Sequence, residues 1–129
     1  MNWYNHRRRY FHLSEFDSPD APGSGAKMDK EFLAMIDEAR HLAGVPFKIN
    51  SGYRTQAHHN SLTKRGFKTA KNSAHLRGFA ADIHCPDSST RFAIFSALLK
   101  AGFNRIGIAN TFIHVDNDPS LPEDVVWTY

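Results

Sequence analysis

Residues 73–82 read Ser-Ala-His-Leu-Arg-Gly-Phe-Ala-Ala-Asp, and a second histidine lies downstream within Phe-Ile-His-Val-Asp at 112–116. His75, Asp82 and His114 therefore offer two imidazoles and one carboxylate. This donor set suits a zinc ion that keeps one coordination position open for water. Such an open position distinguishes a catalytic zinc site from a structural one. The three residues predict a metal site. Two of them, Asp82 and His114, lie on predicted strands, and these strands form part of the predicted sheet.

Apolar residues alternate with polar or small ones around two of these three residues. This period of two predicts strands, and the strand at 78–84 turns an apolar face to the core and Asp82 to the other side. If the strands of Asp82 and His114 are neighbours, the two side chains converge. Gly78 gives the loop before the first strand the backbone freedom to bring His75 back toward them. The strands predicted in this part of the chain cover 78–84, 105–109 and 112–116.

The other elements complete an α+β pattern. Apolar residues at helical spacing predict a helix over 29–43, which Asp29 caps and Gly44 ends. A polar helix is predicted over 55–65, and short strands over 45–50 and 125–127. A second amphipathic helix is predicted over 88–101, with Ser88 or Ser89 as its cap and an apolar face made of Phe92, Phe95, Leu98 and Leu99.

The composition is that of one ordinary globular domain, since the chain has 129 residues, of which 41% are hydrophobic and 22% charged. We expect residues 1–129 to form a single domain. The net charge of +3 favours acidic partners without choosing among them. The basic cluster at 7–9 is expected to be a solvated end or a contact with an anionic polymer. Cys85, the only cysteine, excludes an intrachain disulfide and is expected to be a small buried residue.

No apolar run is long enough to span a bilayer, and the N-terminal segment lacks the apolar core of a signal peptide. Aromatic and basic residues do not interleave as they do in nucleic-acid-binding motifs. We therefore expect neither a membrane nor a nucleic acid as a partner.

Three motifs follow one another along the chain, namely Ser51-Gly52-Tyr53-Arg54-Thr55, Ser73-x-His75-x-x-Gly78-x-Ala80-x-Asp82-Ile83 and Phe112-Ile113-His114-Val115-Asp116. Together they resemble the zinc D-Ala-D-Ala carboxypeptidases and related LAS-type peptidases, the M15 peptidase family. The resemblance covers about residues 11–116. It implies a small α+β domain of the kind shared with the hedgehog signalling domain, with an antiparallel sheet and flanking helices.

The resemblance implies that His75, Asp82 and His114 bind Zn²⁺. It also implies that Arg54 contacts the substrate and stabilises developing negative charge. A physical argument supports this role, because peptide hydrolysis creates an oxyanion that a fixed guanidinium beside a metal stabilises. The planar guanidinium also fits a terminal carboxylate.

The general base is harder to assign. Many family members place Glu or Asp three residues before the last histidine ligand, and this position is Thr111 here. Threonine cannot take the proton from the attacking water, so Asp116 is our candidate base. Asp116 lies two residues after His114 and projects to the same face of the strand. The alternative is that Asp116 orients a histidine ligand through a hydrogen bond.

Other polar residues lie close to these motifs. Gln56 and Ser73 are candidate substrate contacts. His84 shares a face with Asp82 and is most simply a surface residue, although it also has the position of a hydrogen-bond donor or an alternative ligand. His58 and His59, on the polar helix, are expected to be exposed.

The leading hypothesis is a monomeric zinc metallopeptidase that hydrolyses peptidoglycan stem peptides as a D-Ala-D-Ala carboxypeptidase. Two alternatives stay open: an L-Ala-D-Glu endopeptidase of the endolysin type, and a non-catalytic zinc-binding module of the same fold. In the first two cases the partner is a peptidoglycan peptide, and the site of action is the bacterial cell wall.

Overall fold

The computed structural model of the protein describes residues 3, 10–67 and 69–129, so the basic cluster at 7–9 lies outside the described residues. Within the described part, the helices and strands follow in the order α1 (Lys30–Ala43), β1 (Ile49–Ser51), α2 (Gln56–Lys64), β2 (Ala80–His84), α3 (Ser88–Lys100), β3 (Arg105–Ile108), β4 (Phe112–Asp116) and β5 (Val125–Thr128). Short 3₁₀ helices cover Leu13–Phe16, Ser24–Lys27 and Ala74–Arg77.

The five strands form one sheet in the order β1-β2-β4-β3-β5. Neighbouring strands are antiparallel, except that β5 runs parallel to β3 at the edge of the sheet. The mainly antiparallel sheet and its helices confirm the predicted α+β class. The prediction of an antiparallel sheet is therefore right for four strands, and β5 departs from it.

The two faces of the sheet have different environments. One face packs on α1 and α3 and forms the core, where Ile83, Ile113 and Val115 are fully buried. The alternate residues of the same strands, Asp82 and His114, project to the opposite face. The predicted alternation of residues is thus confirmed, and it places the candidate ligands together on the polar face.

Helix α1 begins and ends as predicted. The Asp29 carboxylate accepts a hydrogen bond from the backbone N–H of Phe32, and Gly44 ends the helix with φ of 69°. Glycine suits this left-handed conformation because it has no Cβ to clash with the backbone.

The prediction for α3 needs two corrections. Its cap is Asp87, whose carboxylate accepts from the backbone N–H of Thr90, and neither Ser88 nor Ser89 is the cap. The prediction of its apolar face is also wrong in part, because Phe92 and Leu99 are 74% and 46% exposed. These two residues are seven positions apart and share the outer side of the helix. The side that faces the core is formed by Ile94, Ala97 and Leu98.

Four strands differ from their predicted bounds. Strand β1 starts four residues later than the strand predicted at 45–50 and ends one residue later, and β2 starts two residues later than predicted. Strand β3 ends at Ile108 rather than at 109, and β5 extends to Thr128. Among the described residues, no helix has both the length and the apolar composition needed to cross a membrane.

Candidate metal centre

One row of paired residues crosses all five strands and builds the floor of the site. Ser51 pairs with Asp82, and Asp82 pairs with His114. His114 pairs with Gly107, which in turn pairs with Trp127. Directly paired residues present their side chains on the same face of a sheet. The register therefore brings together Asp82 and His114, which are 32 residues apart in the chain.

His75 reaches this row from a 3₁₀ helix rather than from the sheet. The Ser73 hydroxyl caps that helix by accepting from the backbone N–H of His75 at 3.2 Å. Gly78 ends the helix with φ of 79°, and a Cβ at this position would lie 2.6 Å from the carbonyl oxygen of Lys27. The role predicted for Gly78 is thus explained both by its conformation and by the close approach of another backbone segment.

The three predicted ligands converge, and their ligand atoms all lie within 4.8 Å of one another. The Asp82 Oδ1 atom is 3.3 Å from His75 Nε2 and 2.9 Å from His114 Nδ1. Atoms bound tetrahedrally to one zinc at about 2.0–2.2 Å are roughly 3.3 Å apart. The donor types and their spacing therefore fit a zinc ion.

A different acceptor holds each histidine ring. The Nδ1 atom of His75 is 2.8 Å from the carbonyl oxygen of Gly52, which directs Nε2 toward Asp82. The Nε2 atom of His114 is 2.7 Å from Asp116 Oδ2, which directs Nδ1 toward Asp82. Such outer hydrogen bonds fix the tautomer and orientation of histidine ligands.

Asp116 is itself held in place. Its Oδ1 atom accepts from Arg105 Nε at 2.7 Å, and the residue is 1% exposed. The Arg105 guanidinium lies 5.2 Å from the ring centre of Trp127, and the Trp127 ring centre lies 5.5 Å from that of His114. A Cβ at Gly107 would lie 2.5 Å from Trp127 Nε1, so the glycine makes room for the indole.

Burial and charge shift the pKa values of the three ligands in different directions. Burial would raise the pKa of Asp82, but the adjacent His75 and His114 hold this pKa well below its usual range. Burial lowers the pKa of His75, and the charge of Asp82 counters this only in part. Burial also acts to lower the pKa of His114, but hydrogen bonds to Asp116 and Asp82 raise it to about 9.

Arg54 lies beside the three ligands. Its Nε donates to Ser51 Oγ at 3.0 Å, and its Nη2 lies 3.4 Å from Asp82 Oδ2. The backbone N–H of Arg54 donates to the carbonyl oxygen of His75 at 3.0 Å. The guanidinium is thus fixed next to the predicted ligands.

These residues line a cleft of about 690 Å³. One apolar wall comes from α2 and the loop that follows it, with Leu62, Phe67 and Ala70. The opposite wall comes from β4 and the C-terminal segment. The described residues of this second wall are Phe112, Leu121, Trp127 and Tyr129.

The structure brings Ser73 to the cleft but does not bring Gln56 there. Ser73 lines the cleft, and its hydroxyl is already used in capping. The Gln56 amide donates to Asn60 along α2 at 2.9 Å, and Gln56 is not among the described lining residues. His84 and Thr111 are exposed.

The prediction for the two histidines of α2 was wrong. His59 is 4% exposed, and its Nε2 lies 2.9 Å from the carbonyl oxygen of Ala70. His58 is half-buried and lines the cleft. The loop at 69–73 folds back over this helix, which the polar sequence of the helix did not indicate. Cys85 is fully buried, as predicted.

Three further residues of the site were missed in the sequence. Arg105, Trp127 and Tyr129 all line the cleft. The spacing of two between Trp127 and Tyr129 was the available signal, because it puts both side chains on one face of an extended segment. The predicted strand ends at 127 and therefore leaves Tyr129 out.

The chain is similar to a known protein family. The model of a family described as Peptidase M15 matches residues 10–116. None of the curated protein sequences matches the chain. The matched segment contains Arg54, the three predicted ligands and Asp116, and it ends before β5.

Proposed function

Because the chain belongs to the M15 peptidase family, we propose that it is a zinc-dependent peptidase that hydrolyses peptidoglycan stem peptides. The single observation that carries this proposal is the convergence of His75 Nε2, the Asp82 carboxylate and His114 Nδ1 in a cleft beside Arg54. Two imidazoles and one carboxylate are a ligand set of catalytic zinc sites in hydrolases.

His75, Asp82 and His114 would hold the zinc ion. A zinc ion bound there supplies Lewis acidity, which polarises the scissile carbonyl and lowers the pKa of the attacking water. The carbonyl of Gly52 and the carboxylate of Asp116 keep the two imidazoles in the orientation that metal binding needs. These supports are in place before a substrate arrives, as a catalytic site requires.

Arg54 would stabilise the negative charge that develops on the peptide oxygen. Its side chain is only 12% exposed, and Ser51 and Asp82 fix its direction. A guanidinium held in this way needs little reorganisation when the charge forms, and a charge-assisted hydrogen bond is stronger where water is excluded.

Of the two roles considered for Asp116, the contacts favour orienting His114. One carboxylate oxygen is bonded to His114 and the other to Arg105. Burial would raise the pKa of Asp116, but these two partners lower it, so the carboxylate is a weak proton acceptor. We therefore propose that Asp116 is a positioning residue, and its role as the base is the alternative to be tested.

We propose cleavage of the terminal D-Ala-D-Ala bond, with the guanidinium of Arg54 also available to bind the substrate carboxylate. One observation favours the alternative, an L-Ala-D-Glu endopeptidase. Among the described lining residues the arginines are Arg54 and Arg105, and Arg105 is already bonded to Asp116 and the carbonyl of Pro122. If Arg54 is used for the oxyanion, a terminal carboxylate has no second described arginine to bind.

Incubation of the zinc-loaded protein with muropeptides, followed by mass spectrometry of the products, tests this proposal. Loss of terminal D-Ala identifies the carboxypeptidase, and separation of L-Ala from D-Glu identifies the endopeptidase. The same cleavage in His114→Ala would contradict the proposed role of the metal site. Zinc binding without any cleavage would identify the non-catalytic module instead.

A further inference from the structure

Tyr129 lies at the cleft end of β5, outside the segment that the family comparison matches. Its backbone N–H donates to the carbonyl oxygen of Ile108 at 3.1 Å, which continues the pairing of β5 with β3 by one residue. Tyr129 is therefore fixed to the sheet rather than hanging from its end. Side chains alternate along a strand, so Tyr129 shares its face with Trp127.

Tyr129 and Arg54 lie at opposite edges of the sheet. Arg54 follows β1 at one edge of the sheet, and Tyr129 follows β5 at the other edge. Asp82 and His114 lie on β2 and β4, between these two edges. A peptide bound over the metal site would thus have Arg54 on one side and Tyr129 on the other.

The surroundings of Tyr129 orient its ring and leave its hydroxyl accessible. The ring centre is 5.2 Å from that of Phe112, with the ring planes tilted by 54°. The residue is 66% exposed, so a ligand can reach it. Partial burial in the cleft raises the pKa of Tyr129, so the phenol keeps its proton at neutral pH and can donate it to a ligand.

We propose that the Tyr129 hydroxyl donates a hydrogen bond to the main chain of the bound peptide, on the side of the metal site opposite Arg54. This inference rests on the proposed function, since it takes a peptide as the ligand. Tyr129 lies two residues beyond Trp127, and Trp127 belongs to the same row of paired residues across the sheet as His114. The contact therefore belongs to a subsite next to the scissile bond, and it affects substrate binding rather than the chemical step.

Kinetics with muropeptide substrates test this contact through Tyr129→Phe. Removal of the hydroxyl should raise KM about tenfold, in line with the loss of one hydrogen bond to substrate, while kcat changes less than about twofold. Tyr129→Ala should raise KM further, because the ring contact with Phe112 is lost as well. The zinc content of both variants should equal that of the wild type. If Tyr129 only supported the structure of the site, its replacement would lower the zinc content as well.

Tyr10→Phe is the matched control. It removes a phenol hydroxyl that bonds His41 beside a separate depression lined by Arg40 and Pro46, so KM and kcat should not change. An unchanged KM in Tyr129→Phe would overturn the inference, and so would an equal loss of zinc and activity.

Direct binding separates this inference from the proposed function. Muropeptides are titrated into the wild type and Tyr129→Phe, and the dissociation constant is measured by calorimetry under conditions without turnover. If the wild type binds muropeptides in this titration but does not cleave them in the product assay, the proposed activity is wrong. A tenfold weaker binding by Tyr129→Phe would still support the contact in that case. If the wild type neither cleaves nor binds muropeptides, both proposals are wrong.

Discussion

The two histidines of the site are supported in opposite ways. His75 lies on a 3₁₀ helix, and its outer nitrogen is bonded to the neutral carbonyl of Gly52. His114 lies on a strand, and its outer nitrogen is bonded to the carboxylate of Asp116. The pKa of His75 is lowered by burial, whereas that of His114 is raised to about 9 by its two carboxylate neighbours despite burial.

This difference predicts that one of the two candidate ligands is ready for a metal at neutral pH and the other is not. His75 is neutral and needs no change. His114 holds a proton between Asp82 and Asp116 in the metal-free protein, and a metal must displace it. Metal binding releases protons wherever a ligand is protonated in the free protein. The hydrogen-bond acceptor at the outer nitrogen of each ring therefore determines two quantities. It sets how strongly that histidine stabilises the metal-free fold, and whether a metal must displace a proton from it.

The largest expected effect comes from removing each ring in turn. His75→Ala and His114→Ala should both abolish zinc binding and hydrolysis, since each takes away one of three ligands. Their effects on the metal-free fold should differ. His75→Ala removes a hydrogen bond to a neutral carbonyl and a 3.3 Å contact with Asp82, whereas His114→Ala removes a charged partner that lies 2.9 Å from Asp82 and 2.7 Å from Asp116. His114→Ala should therefore lower the free energy of unfolding by about 1–2 kcal/mol more than His75→Ala does.

Urea unfolding at pH 7 in the presence of a chelator measures this difference. Equal losses of stability in the two variants would show that the supports behind His75 and His114 are not energetically distinct. Greater destabilisation by His75→Ala would reverse the comparison.

A smaller effect is expected when only the charged support is changed. Asp116→Asn keeps the shape of the side chain but cannot accept from both His114 and Arg105 as a carboxylate does. Loss of such an outer contact typically weakens metal binding about 10–100-fold. Competition with a chromophoric zinc chelator measures the affinity. Asp118→Asn is the matched control, because Asp118 is an equally buried aspartate that bonds Arg77 and contacts none of the three ligands.

The same variant also separates the two roles of Asp116. If Asp116 were the base, Asp116→Asn would lose hydrolysis at saturating zinc while its zinc affinity stayed that of the wild type. If Asp116 positions His114, zinc affinity falls and activity returns in part when more zinc is added.

A further expected effect is a pH dependence of stability whose sign differs between the two histidines. The folded-state pKa of His114, about 9, is above its unfolded value, so its stabilisation of the metal-free protein is complete below about pH 6.5 and is lost as the pH rises through about 9. His75 has a lowered pKa, so it destabilises the fold as the pH falls below about 6.5. A tenfold change in the proton affinity of either ring on folding corresponds to roughly 1.4 kcal/mol of stability.

Unfolding of the chelated protein between pH 5 and 10 measures these slopes, and His114→Gln should remove the alkaline loss only. Zinc affinity should change in the opposite direction and increase toward pH 9, because the proton on His114 competes with the metal. A metal-free protein that is equally stable at pH 7 and pH 9.5 would contradict the raised pKa of His114.

The sequence indicated the three residues that converge, and the strands that carry two of them, for clear physical reasons. The alternation around Asp82 and His114 is strong, because one face of each strand is buried and the other carries the site. Gly78 and Asp29 were also identified correctly, since each has a backbone role that few residue types can fill. Local patterns of this kind can be read without knowledge of the tertiary structure.

The remaining parts of the site depend on pairing that local patterns do not encode. Trp127 reaches His114 only because β5 adds to β3 in parallel, with Gly107 between them. The burial of His59 depends on the carbonyl of Ala70, which belongs to the loop after the helix. In both cases the deciding contact joins segments whose sequences carry no sign of each other.

The central claim is that His75, Asp82 and His114 bind one zinc ion, through different nitrogens of the two rings. Anomalous X-ray scattering at the zinc edge, from crystals of the zinc-equilibrated protein, tests this claim most directly. We predict one peak per chain, bonded to His75 Nε2, the Asp82 carboxylate and His114 Nδ1. A peak away from these atoms, bonding through His114 Nε2, or no bound zinc would contradict it.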